Sequence, residues 1–215
     1  MINNRKNKIL RRKAFTLAEV LITLVVIGVI ASITVPTFMT NIEKEKTVTQ
    51  LKKVYSSLAN AYNLAVLDNG PVQEWEFGKN TYDWNLSRKF LQNYFVPYIY
   101  TSKDFTYKVG AAAPDQYVLL AGAVIDADVR AETVDISIDL NGDRKPNRRG
   151  RDIFVVRISK SENYKDFGFA GAVYNRNGMI NHTHGCKHGA AGNAYTYCGA
   201  LIQADNWQIK DDYPW

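Results

Sequence analysis

KAFTLAEVLITLVVIGVIASITVP, residues 13–36, separates two chemistries in this chain. A basic leader stops at Ala14, and an apolar run follows whose one early charge is Glu19. From Val20 to Ile42 there is no ionisable side chain, 23 residues in succession. At ~1.5 Å per residue a helix of that length spans the roughly 30 Å hydrocarbon core of a bilayer. A carboxylate at the mouth of such a helix is costly in lipid, about 2.5 to 3.5 kcal/mol at the centre and less near an interface. Glu19 therefore calls for a partner.

An ordinary secretory signal places its small-residue cleavage site after the apolar run. Here the small residue, Ala14, comes before it, and no A-x-A site follows within it. A plain membrane anchor explains the length and the leading positives but gives Glu19 no purpose. Lys13-Ala14-Phe15-Thr16-Leu17-Ala18-Glu19, followed by VLITLVVIGVIASITVP, resembles the signal of type IV pilins and type II secretion pseudopilins. The resemblance implies that a prepilin peptidase cuts between Ala14 and Phe15. It further implies that Phe15 becomes the N-methylated first residue and that Glu19 serves assembly with other pilin or pseudopilin subunits. Gly28 and Pro36 fall where such helices tend to bend. The family usually carries Gly before the cut, and this chain has Ala14.

The leader holds Arg5, Lys6, Lys8, Arg11, Arg12 and Lys13 and no acid; without those six, 21 Lys and Arg face 21 Asp and Glu. The mature chain is formally neutral, and the net charge of +6 belongs to the leader. A nucleic-acid partner drawn from the whole-chain charge is therefore unsupported. Six positives ahead of the helix predict a single pass through the inner membrane, with the head outside the cytoplasm. An assembly platform in that membrane, and then a periplasmic or cell-surface filament, follow from the resemblance.

Past the apolar run, Val48, Leu51, Val54, Tyr55, Leu58, Tyr62 and Ala65 recur at helical spacing among lysines. Asp68-Asn69-Gly70-Pro71 is the stop signal. The predicted segments are a leader (1–14), an apolar helix (15–42), its amphipathic continuation (43–70) and a head (71–215). In the head, residues 82–100 read as a short helix ended by Pro97. Residues 117–125, 133–138 and 153–158 read as strands, and 167–174 as a further strand or loop. The expected fold class is α+β: a long N-terminal helix packed on an antiparallel sheet. The terminal aromatics Trp207, Tyr213 and Trp215 predict an end that packs on the head.

Two segments of the head carry chemistry. Asp139, Asn141 and Asp143 alternate, with Asp152 beyond them, and oxygen ligands so spaced suit Ca²⁺. Arg144 and Gly150 stand where an EF-hand has Gly and Glu, so this is not an EF-hand. The segment from Asp139 to Asp152 resembles loops of the D-x-N-G…P-N…G-x-D type in heads of pilin-like proteins, some of which hold calcium. Against that stand a polar connection held by its own Asp and Asn side chains, and five basic residues: Arg144, Lys145, Arg148, Arg149 and Arg151. That cluster could also reach nucleic-acid phosphates, although a solvated loop is the commoner explanation.

The second segment is His182-Thr-His184-Gly-Cys186-Lys-His188, with zinc-ligand chemistry. Cys186 and Cys198 are the only cysteines, and outside the cytoplasm they are expected to pair, which removes Cys186 as a ligand. There is no nucleophile elbow, phosphate loop or H-E-x-x-H, so no enzyme is expected. The functional expectation is a structural subunit of a pilus or secretion filament. The alternative is a membrane-anchored extracytoplasmic module for calcium, DNA or a surface ligand that does not polymerise.

Overall fold

The computed structural model describes residues 15–79, 84–107, 116–119, 122–142, 144–189 and 194–215. The leader with Ala14, residues 82 and 83 of the expected head helix, residues 120 and 121, and Asp143 lie outside the described residues. The chain divides into two compact units, Met1–Glu43 and Lys44–Trp215.

Helix α1 runs Leu17–Asn69. In the first unit its large apolar side chains, among them Leu21, Val25, Ile30, Ile33 and Phe38, are exposed. The segment is long and apolar enough to cross a membrane. Its hydroxyls do not compromise that surface. Thr23, Ser32, Thr34 and Thr40 each donate to a carbonyl three or four residues back, at 2.7–3.0 Å. A hydroxyl bonded in this way brings no unsatisfied donor into hydrocarbon. Helix α1 continues through Gly28 and Pro36, and no break interrupts it at either residue.

In the second unit, α1 buries Leu51, Val54, Leu58, Ala61 and Ala65. Alternating steps of three and four residues keep them on one stripe. Gly70 closes the helix with φ 78°, a conformation glycine takes without a Cβ penalty. Next come α2 (Trp84–Tyr94) and a six-stranded antiparallel sheet in sequence order. Its strands are β1 (Thr101–Tyr107), β2 (Gln116–Leu119), β3 (Val124–Val129), β4 (Thr133–Asp139), β5 (Ile153–Ser159) and β6 (Phe167–Phe169). Two short helices follow, α3 (Arg176–Asn181) and α4 (Cys198–Ala204). The architecture is α+β and pilin-like, as expected.

Alternation decides which face of the sheet is buried. Ile125, Ala127 and Val129 on β3, with Val134, Ile136 and Ile138 on β4, point into the same core as the α1 stripe. Tyr55 of α1 stacks on Phe169 at 4.4 Å, and Tyr62 on Phe167 at 4.9 Å. Strand β5 reads as a continuous apolar run because both of its faces are covered. Phe154, Val156 and Ile158 enter the main core, while Val155 packs with Ala170 and Tyr197 on the other side. Arg157 on β5 clamps Asp135, its cross-strand partner on β4, through two hydrogen bonds of 2.6 and 2.7 Å.

Two expectations need correction, and three elements are additions. Residues 117–125 are not one strand: a turn at Gly122 (φ 78°) separates β2 from β3, with Gly122 N–H donating to Leu119 O. Strand β1 and helices α3 and α4 had no counterpart in the sequence reading. The head helix ends at Tyr94 rather than at Pro97, which lies in a following 3₁₀ turn, Val96–Tyr98.

Candidate functional site

The first candidate site is the start of α1. The Thr16 amide and hydroxyl both donate to Glu19 Oε2 at 2.8 Å, and the Glu19 amide donates back to Thr16 Oγ1 at 3.2 Å. This is a capping box, with Thr at the N-cap and Glu three residues on. It satisfies two helix donors that would otherwise be orphaned. The partner that Glu19 requires within its own chain is thus Thr16, a residue the sequence reading passed over although T-x-x-E was the signal. Phe15, just ahead of it, is 87% exposed.

The second candidate is the connection from β4 to β5, residues 140–152. Asp139 Oδ1 accepts the amides of Asn141 (3.0 Å) and Gly142 (2.8 Å), a local Asx turn. Asp152 is buried, 5% exposed, and organises the rest. Its oxygens accept the amides of Asn147 (2.8 Å) and Arg148 (2.6 Å) and the side-chain amide of Asn141 (3.1 Å). Asn147 adopts φ 47°, which Asn tolerates better than most residues. Gly150 has φ 81°, and a Cβ there would stand 2.8 Å from Cys198 Sγ. The Tyr213 hydroxyl donates to Gly150 O from a buried position, and that burial pushes its pKa well above the usual tyrosine range.

These bonds bear on the calcium expectation. Asp139 Oδ1 and both oxygens of Asp152 accept N–H groups of the loop itself, which is the polar connection held by its own side chains. Among the described residues no group of three or more His, Cys, Asp and Glu side chains gathers at metal-binding range. Asp152→Asn is expected to lower stability by about 1 to 3 kcal/mol, because its amide nitrogen would face N–H donors and leave one unsatisfied. Thermal unfolding of the variant checks this. Unfolding of the wild type in millimolar calcium tests the ion separately: a raised midpoint would place it in the loop, and no shift would leave an ordinary turn.

The histidine segment also resolves into structure. Cys186 and Cys198 form a disulfide, both fully buried, so Cys186 is not a zinc ligand. His182 stacks on Tyr197 at 5.1 Å between ring centres, His184 lies tilted to the same ring at 6.0 Å, and His182 Nδ1 accepts the His184 amide. His188 is exposed. At the C-terminal end, buried Asp205 takes Arg176 at 2.9 Å and Lys210 at 2.6 Å. Burial raises its pKa, but the bonds from Arg176 and Lys210 outweigh this and hold it below the usual carboxylate value.

Residues 37–215 match the model of a family of unknown function, DUF6613. The chain belongs to that family. Residues 9–35 match the prokaryotic N-terminal methylation motif, which spans Ala14, Phe15, Glu19 and Gly28. The N-terminal signal is therefore of the type IV prepilin kind, and the protein is pilin-like. No curated protein and no solved structure matches the chain.

Proposed function

We propose that this member of the family is a non-catalytic filament subunit, a pilin, minor pilin or pseudopilin of a type IV pilus or type II secretion machine. The observation that carries the reading is the methylation motif opening an apolar helix whose side chains up to Ile42 find no core within their own unit. Such a surface requires lipid first and sister helices afterwards. Each large side chain moved from water into either environment contributes about 1.5 to 3 kcal/mol.

In this reading prepilin peptidase releases the leader at the cytoplasmic face, the head lies outside, and the helices bundle into a filament core. The new amine of Phe15 loses its water on docking and needs a negative partner. Glu19 of a neighbouring subunit supplies one, setting the axial register, since a buried charge costs several kcal/mol unless paired.

Mass spectrometry of membrane-extracted protein is expected to show a mature chain beginning at N-methylated Phe15. A chain retaining Met1, or one cut beyond Pro36, would end the filament proposal. Subunits sheared from intact cells would indicate a pilus, and loss of protein secretion on deletion would indicate a pseudopilus.

A further inference from the structure

We propose that the loop between β4 and β5 is a docking surface for the anionic phospholipid headgroups of the membrane that anchors the chain. The inference rests on the membrane-anchored reading of α1 and not on whether the chain polymerises. It starts from where the fold puts the loop. Gly78 N–H donates to Arg130 O, Trp75 Nε1 donates to Gly70 O, and the Trp75 ring lies 5.7 Å from that of Tyr62. The β3–β4 turn is thus tied toward the C-terminal end of α1. The Gln50 side chain donates to Leu140 O, where the β4–β5 loop begins, and Leu140 N–H donates to Asp152 O, where it ends. Strand β4 therefore runs back along α1, and both ends of the loop after it are held at Gln50.

Gln50 stands eight residues beyond Ile42, the last of the uncharged run. Along one helix that is about 12 Å of rise. The headgroup zone adds roughly 5 to 7 Å outside the hydrocarbon on each side. With Ile42 at the edge of the hydrocarbon, the base of the loop is about 6 Å from the outer limit of the headgroups. That is inside the Debye length of about 8 Å at physiological ionic strength, and tilting the helix shortens the distance further.

Charge then selects the partner. Residues 141–152 hold five basic side chains and two acids, Asp143 and Asp152, for a net charge of +3 in a formally neutral mature chain. Arg149 bonds Thr196 Oγ1 and Arg151 lies over the Trp215 ring, so both are engaged within the head. Arg144, Lys145 and Arg148 are exposed, and among the described residues no carboxylate pairs with them. The outward charge belongs to these three. The backbone amides of Asn147 and Arg148 are taken by Asp152, so they do not cradle a single phosphate. A charged surface needs no such cradle, because it acts through its potential. Each Lys or Arg near an anionic bilayer favours contact about fivefold, and three together on the order of a hundredfold. The bonds to Asp152 and from Tyr213 to Gly150 O also fix the loop in advance, which spares part of the ordering cost.

The test uses the full chain in lipid nanodiscs of phosphatidylcholine, with and without phosphatidylglycerol, each carrying a trace of dansyl headgroup lipid. All four tryptophans lie in the head, so energy transfer from tryptophan to dansyl reads how near the head sits to the headgroups. Transfer is expected to be higher in the anionic discs and to return to the phosphatidylcholine level in molar salt, where the Debye length is about 3 Å. Changing Arg144, Lys145 and Arg148 together to Gln should cut the ratio of docked to free head on the order of a hundredfold. Lys145→Gln alone should cut it about fivefold and decides the matter if the triple variant misfolds. Lys79→Gln, an exposed charge beside Gly78 at the other end of β4, should leave transfer unchanged. Soluble glycerol phosphate should not compete. Equal transfer in the two discs, full transfer in the loop variants, an equal loss from Lys79→Gln, or competition by glycerol phosphate would overturn the proposal. A chain that enters neither disc would overturn the membrane-anchored reading and the proposal together.

Discussion

Glu19→Gln is expected to collapse the ratio of assembled subunit to membrane monomer while leaving membrane insertion and leader cleavage largely intact. Breaking a buried charge pair by removing one partner costs about 3 to 5 kcal/mol, a few hundred-fold or more for each subunit contact. The capping geometry makes this substitution unusually clean. Glutamine also serves as the third residue of a capping box, so its side-chain oxygen can still accept the Thr16 amide and the helix start survives. What disappears is the charge that would neutralise the Phe15 amine of a neighbour.

Glutamine is also cheaper than a carboxylate to place near lipid, which stabilises the monomer and pushes the ratio the same way. Thr16→Val separates the two roles. It removes the hydroxyl that bonds Glu19 but keeps the carboxylate, so the cap loses about 0.5 to 2 kcal/mol and assembly falls far less. The measurement is sheared or complex-bound subunit against membrane monomer in correctly processed variants. An unchanged ratio for Glu19→Gln would remove Glu19 from assembly, and a membrane-anchored module would then be the better description.

Replacing Cys186 and Cys198 together by serine should destabilise the Lys44–Trp215 unit by about 3 kcal/mol. The bridge spans 12 residues, and the chain-entropy model assigns a loop of that size a contribution near this figure. With roughly 2 to 4 °C of midpoint per kcal/mol in a domain of this size, the shift should reach about 6 to 12 °C. Serine hydroxyls would add to the loss, because both sulfurs are fully buried among apolar neighbours. Thermal unfolding of the double variant tests the magnitude. Alkylation of freshly isolated protein tests the premise: two free thiols in the native chain would contradict an oxidised head. The disulfide loop also carries Tyr195, whose amide donates to Gly185 O, so the double variant should loosen that contact as well.

The capping box and the calcium expectation show where local sequence suffices and where it does not. Thr16 and Glu19 are three residues apart on one helix, and Asp139 bonds amides two and three residues ahead. Such contacts are set by backbone geometry, and spacing alone reveals them. Asp152 presents the same residue type in the same loop, yet its role depends on the chain having doubled back to bring Asn141, Asn147 and Arg148 to one carboxylate. Counted along the sequence, those acids resemble a ligand set. Folded, the described ones are the loop's own acceptors.

The apolar run from Val20 to Ile42, the α1 stripe from Leu51 to Ala65 and the glycine stop at Gly70 were determined by the sequence alone. Each rests on helical periodicity or on a backbone conformation that only glycine takes freely. The split between β2 and β3 was not legible, because the turn is apolar and Gly122 is its only punctuation. Strand β1, with the polar sequence TSKDFTY, forms at the edge of the sheet by pairing with β2 rather than through any pattern of its own. Tertiary structure alone decided that Val155 faces a second small core, that Tyr213 reaches back 63 residues to Gly150, and that Tyr195 and Pro214 stand beside three arginines. The physical reason is common to all of these. Periodicity and spacing record what a residue does with its neighbours in the chain, whereas a carboxylate, a ring or a guanidinium acquires its function from whatever the packed sheet and its connections bring within reach.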